Sequence, residues 1–194
     1  MMSLGNLDFT ACPLFIADPE HSGYPQLPSP PSRAPDRPMI RPAHPKDVPD
    51  LPAIVIASGL FESPQVEELT QMLEHHFSSA ADSPAVWLTD DDNGPVGVAY
   101  VAPEPMTTGT WNLYWIAVHP DHQRQGRGQA LLNQVEQMLT QRDVRRLLIE
   151  TSGTADFDYV RRFYRQNGYQ EEARIREFYA AGVDKIVFRK VLSP

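Results

Sequence analysis

Residues 111–139 constrain the fold of this chain more than any other stretch. WNLYWIAVHP is a short aromatic and β-branched run ended by His119-Pro120, and it reads as a buried strand. ALLNQVEQML carries Leu131, Leu132, Val135, Met138 and Leu139 at spacings of three and four, the apolar stripe of a helix. Between them lies Gln123-Arg124-Gln125-Gly126-Arg127-Gly128, and the pattern predicts a helix starting on Gly128. A helix N-terminus leaves N–H groups without intrahelical partners, and the helix dipole adds positive potential. Such a loop suits a phosphate. Side chains at 126 or 128 would hold a phosphate off the backbone, and Arg124 and Arg127 add charge.

The rest of the chain sets the frame. A length of 194 residues suits one domain with a sizeable core. The single cysteine, Cys12, excludes an internal disulfide framework and a thiolate metal cluster. A net charge of −8 argues against nucleic acid as a partner and is compatible with a cationic substrate. No apolar run is long enough to span a membrane. The short apolar patch Cys12 to Ala17 has no basic region before it, so no signal peptide is expected and a cytoplasmic location is the default. His75-His76 and His119-x-x-His122 lack the spacing and companions of a metal site, so no metal is expected.

Residues 1–38 hold Pro13, Pro19, Pro25, Pro28, Pro30, Pro31, Pro35 and Pro38. Proline removes backbone donors and fixes φ, so a disordered, mostly extended tail is expected there. The domain is expected over 39–194. Met39 to Arg41 reads as a strand and Lys46 to Ser58 as a helix stopped by Gly59, with Pro49 and Pro52 tightening its first turn. A helix opened by Ser63-Pro64 runs to Phe77, with Val66, Leu69, Leu73 and Phe77 on one face. Ala85–Thr89 and Val96–Val101 form a hairpin across Asp91-Asp92-Asn93-Gly94. After the central strand and helix come a strand over 146–152, a helix over 157–167 ended by Gly168, and a pair over 172–179 and 186–192. The strand–helix–strand order makes the strand over 146–152 parallel to the central one. The predicted order is β-α-α-β-β-β-α-β-α-β-β, an α/β sandwich with a mixed, mostly antiparallel sheet.

The glycine loop admits three nucleotide-type readings. The NTPase phosphate loop needs Gly-Lys-Ser/Thr, whereas Gln129-Ala130-Leu131 follows here. The dinucleotide fingerprint of an oxidoreductase wants three glycines directly after the strand. Glu150 stands at a fitting distance for it, but Leu131 holds the third glycine position and Pro120 to Gln125 intervene. The third pattern is Gln/Arg-x-x-Gly-x-Gly/Ala after an Ala-Val-x-Pro turn, met by Gln123 to Gly128 after Ile116-Ala117-Val118-His119-Pro120. It resembles the GNAT superfamily, the acetyl-CoA-dependent N-acetyltransferases. Arg162-Phe163-Tyr164-Arg165-Gln166-Asn167-Gly168-Tyr169 resembles that family's Phe-Tyr-x-x-x-Gly-Phe/Tyr signature. Phe178 to Lys185 is similar to the last hairpin of a subgroup.

The resemblance implies a seven-stranded, four-helix domain with one parallel strand pair splayed around CoA. It implies direct acetyl transfer from acetyl-CoA to a primary amine, on a small molecule or a peptide, in a ternary complex. Gln123, Arg124, Gln125, Gly126, Arg127, Gly128 and Gln129 would hold the pyrophosphate. Ile116, Ala117 and Val118 would line the pantetheine arm, which pairs like an added strand, with the Val118 N–H facing the acetyl oxygen. Tyr164 would be the general acid: an unperturbed phenol, with pKa about 10, stays protonated at neutral pH. Asn167 would reach the cofactor or cap its helix. The central strand carries no acid, which leaves Glu150 as first choice for the base, Glu104 as second, and water as a third route. The acceptor site would be built by the two early helices, the 103–109 loop and the final hairpin. Trp111, Tyr114 and Trp115 would line it, or the two tryptophans would be core on one face of the strand. A CoA-binding module without catalysis is the alternative from a different class. The chain would act as a monomer or homodimer.

Overall fold

The computed structural model describes residues 38–58, 63–78 and 83–192. Most of the proline-rich segment and Gly59 lie outside them. Within them the predicted order of elements holds. The strands are β1 (Met39–Pro42), β2 (Val86–Asp91), β3 (Pro95–Pro103), β4 (Thr110–Val118), β5 (Arg146–Ser152), β6 (Gln170–Ala180) and β7 (Val183–Val191). The helices are α1 (Asp50–Ala57), α2 (Ser63–Ser78), α3 (Arg127–Gln141) and α4 (Asp158–Gln166). The strands form one sheet in the order β1-β2-β3-β4-β5-β7-β6. Only β4 and β5 run parallel. No described helix is long and apolar enough to cross a membrane.

Two apolar layers clothe the sheet. On one face Leu131, Leu132, Val135 and Leu139 of α3 and Val160 and Tyr164 of α4 pack on β4, β5 and β7. On the other, Leu51, Ile54 and Val55 of α1 and Leu69 and Leu73 of α2 cover Trp87, Val98, Tyr100 and Trp115. The predicted stripes of α2 and α3 are therefore the faces they bury.

Three local expectations change. The helix expected over Lys46–Ser58 is split into a 3-10 turn, Pro45–Asp47, and α1, which begins only at Asp50. Proline lacks the N–H that an interior turn needs, so the helix starts where Pro49 is its cap and Pro52 falls in its first turn. Helix α3 starts on Arg127, with Gly126 as its N-cap at φ 77°. Trp111 and Trp115 are both buried, but on opposite faces. Tyr100 pairs with Trp115 and Val101 with Leu113, so Tyr114 is an extra, bulged residue that reverses the alternation.

Candidate active site

The central feature is a fork. Strands β4 and β5 pair only over Thr110–Leu113 and Arg146–Ile149. Beyond that, Trp115 to Val118 stay with β3 and Glu150 to Ser152 stay with β7. The register shows which backbone groups face the gap. The His119 N–H donates to the Val96 carbonyl, 2.8 Å, closing a hydrogen-bonded pair. Such pairs alternate along an antiparallel ladder. Trp115 and Ala117 therefore bond to β3, while the N–H groups of Ile116 and Val118 point away from it, toward the opening. This is where the sequence reading expected unpaired strand backbone.

The glycine loop closes the wide end of the fork. The first intrahelical bond of α3 runs from the Ala130 N–H to the Gly126 carbonyl, 2.9 Å. Helix geometry thus leaves the amides of Arg127, Gly128 and Gln129 without an intrahelical acceptor. A Cβ on Gly126 would meet nothing within 4 Å, and one on Gly128 would lie 4.0 Å from Val118 Cγ2. The first turn of α3 accordingly stands beside the end of β4, with open space over its cap. Gln123 Nε2 donates to the Val118 carbonyl, 2.9 Å, and Gln125 Nε2 to the Asp121 carbonyl, 3.2 Å. Both glutamines shape the loop. Arg124 is exposed, at φ 59°.

Arg127 is placed otherwise than its charge suggested. Its guanidinium is 3 % exposed and points inward. There Nη1 donates to Asp90 Oδ2 at 2.9 Å and Nη2 to Asp92 Oδ2 at 2.5 Å. The buried Asp90 carboxylate attracts it, and the ion pair pins the start of α3 to the β2–β3 hairpin. Arg127 serves the loop through its amide, not its side chain.

Tyr164 is fully buried on the α4 side, with its ring centroid 5.7 Å from those of both Tyr169 and Phe188. Arg161, one turn earlier, donates to the Ser152 carbonyl and so fastens α4 to the free end of β5. Asn167 is the C-cap of α4, its Nδ2 turned back to the Phe163 carbonyl at 2.8 Å, with Gly168 next at φ 81°. Of the two roles expected for Asn167, its side chain fills the cap.

Both candidate bases gather at the vertex, on the other face of the sheet. Tyr114 and Glu150 are the first residues past the last parallel pair, Leu113 with Ile149. Glu150 accepts from Lys185 Nζ at 2.7 Å, and the Lys185 ammonium sits 3.7 Å from the Phe178 ring centroid. Glu104 reaches in from the loop before β4. Its Oε2 accepts from the Tyr114 hydroxyl at 3.3 Å and from Asn112 Nδ2 at 3.5 Å. Burial, then the Glu104 charge, push the Tyr114 phenol well above its usual range, so it stays protonated. The strand without an acid of its own thus borrows one from the preceding loop. Sequence reading missed Asn112 and Lys185; a lone polar residue in an apolar strand was the available signal for Asn112. Among the described residues, no three His, Cys, Asp or Glu side chains converge as a metal site requires.

A profile of the family described as "Acetyltransferase (GNAT) domain" matches residues 82–171. A GNAT-family structure from Desulfovibrio desulfuricans is 32 % identical, with TM-score 0.74, covering 80 % of this chain and 99 % of that one. The ribosomal-protein-S18-alanine N-acetyltransferase of Escherichia coli shares 21 % identity at TM-score 0.60, over 80 % of this chain and 94 % of its own. An aminoglycoside 6'-N-acetyltransferase complexed with coenzyme A shares 15 % at TM-score 0.64, over 80 % and 98 %. The latter two are likenesses of fold alone. Comparison with curated proteins gives no match.

Proposed function

The chain belongs to the GNAT family of acetyltransferases, and we propose that it moves an acetyl group from acetyl-CoA directly to a primary amine within a ternary complex. The observation that carries this reading is the fork: two backbone N–H groups of β4 aimed into a gap whose mouth is an uncapped helix N-terminus. Acetyl-CoA fits that arrangement on two counts. An extended arm finds strand-like partners at Ile116 and Val118, beside Ala117. A pyrophosphate finds the amides from Gln125 to Gln129 where Gly126 leaves open space. When bound, acetyl-CoA supplies the acyl group as a thioester with a good leaving group.

The chain's own residues supply the rest. The Val118 N–H donates to the carbonyl oxygen as negative charge builds there, and a fixed donor of this kind needs no reorganisation. Tyr164 gives its phenolic proton to the departing sulfur from the α4 side. Glu150, at the vertex, takes the proton of the attacking amine through water, with Glu104 as the alternative acceptor. The acceptor enters on the α1–α2 side, between those helices, the 103–109 loop and the β6–β7 hairpin.

The test is CoA release over a panel of amines and peptides. Tyr164→Phe is expected to lower kcat about 100-fold or more with little change in acetyl-CoA affinity. An unimpaired Tyr164→Phe enzyme removes Tyr164 from the mechanism. A chain that binds acetyl-CoA and releases none of it with any amine is a binding module instead.

A further inference from the structure

The vertex of the fork holds an imbalance of charge and of hydrogen bonds. Glu150 is already matched by the Lys185 ammonium, 2.7 Å away. Glu104 has no cationic partner among the described residues; two neutral donors reach one of its oxygens at 3.3 and 3.5 Å. Next to it, Asn112 is 3 % exposed and its Oδ1 accepts no hydrogen bond. Nδ2 is the amide atom turned toward the Glu104 carboxylate. A buried carbonyl oxygen left unmatched is costly, and proteins rarely tolerate one without a reason. The surplus here is all of acceptors, beside an uncompensated carboxylate. An ammonium, with three donors and a full charge, is its complement.

Resting on the reading of the fork as the acetyl-transfer site, we propose that Glu104 and Asn112, beside Tyr114, form a cation subsite. It selects acceptors that carry a second positive charge besides the reacting amine. The reacting amine must lose its charge to attack, so a permanent attraction to Glu104 has to come from a different group of the acceptor.

The experiment is calorimetric titration of the full chain, with and without CoA, using 1,4-diaminobutane, n-butylamine and 4-aminobutyrate. CoA release from acetyl-CoA is followed in parallel. The diamine is expected to bind at least about tenfold more tightly than n-butylamine, and 4-aminobutyrate most weakly. Glu104→Gln should erase the diamine preference, and Glu104→Asp should keep part of it. Equal binding of all three amines, or a preference that survives in Glu104→Gln, overturns the subsite. The preference without any CoA release keeps the subsite and sinks the transfer reading. CoA release from monoamines with no preference for the diamine does the reverse.

Discussion

Gly97 shows how closely single atoms set the site. A Cβ there would lie 3.0 Å from Leu131 Cδ1 and 3.3 Å from the Ala117 carbonyl oxygen. Helix α3 can approach β3 and β4 only because that atom is missing. Gly97→Ala is expected to cost roughly 1–3 kcal/mol of stability by overpacking, read as a lower urea midpoint at unchanged slope. Nothing in the sequence singled out Gly97, because the contact joins residues on three different elements. Arg127 teaches the same point. Its place in the glycine loop was legible, but its direction was decided by Asp90 and Asp92, which stand more than thirty positions earlier. Composition gives a charge; only packing gives its partner.

At the scale of elements, β1 illustrates a small piece held by ions. Arg41 donates through both Nη atoms to Asp47, at 2.6 and 2.9 Å, and through Nε to Asp91 at 2.8 Å. It ties β1 to the 3-10 turn and to β2. Hydrogen bonding to Arg41 holds the carboxyls of Asp47 and Asp91 below the usual aspartate value near 3.8. A folded pKa below the unfolded one contributes stability that is present above the unfolded value and lost as pH falls through the folded one. Stability should therefore drop below about pH 4, and Arg41→Met should flatten that part of the drop while costing about 3 kcal/mol near neutrality. Urea unfolding at pH 3 and pH 7 checks both. Elements with a clear period, such as α3 and the β2–β3 hairpin, were legible because local chemistry and packing agree there. The split before α1 was half legible, since the prolines were visible but the exact restart was not. The bulge at Tyr114 left no local mark at all. It arises from pairing with β3, and it alone sends Trp111 and Trp115 to opposite layers.

For the whole molecule, the order of elements and the parallel pairing of β4 with β5 were readable from the hydrophobic pattern and the strand–helix–strand rule, and the fork followed from the resemblance alone; the place of β7 between β5 and β6 is set by tertiary pairing that no local pattern shows. Its backbone consequences can be measured. Amide exchange in acetyl-CoA should slow at Ile116 and Val118, on the order of tenfold or more at saturation. It should stay unchanged at Trp115 and Ala117, whose bonds to β3 are already made. Equal slowing at all four would place the ligand elsewhere. The parallel seam between β4 and β5 is only four residue pairs long. The protein is thus two leaves that share backbone hydrogen bonds only along a short spine, with the core under α3 and α4 continuous across both. Whatever lies between the pages supplies the missing stitches, so an occupied molecule should resist prying where an empty one yields.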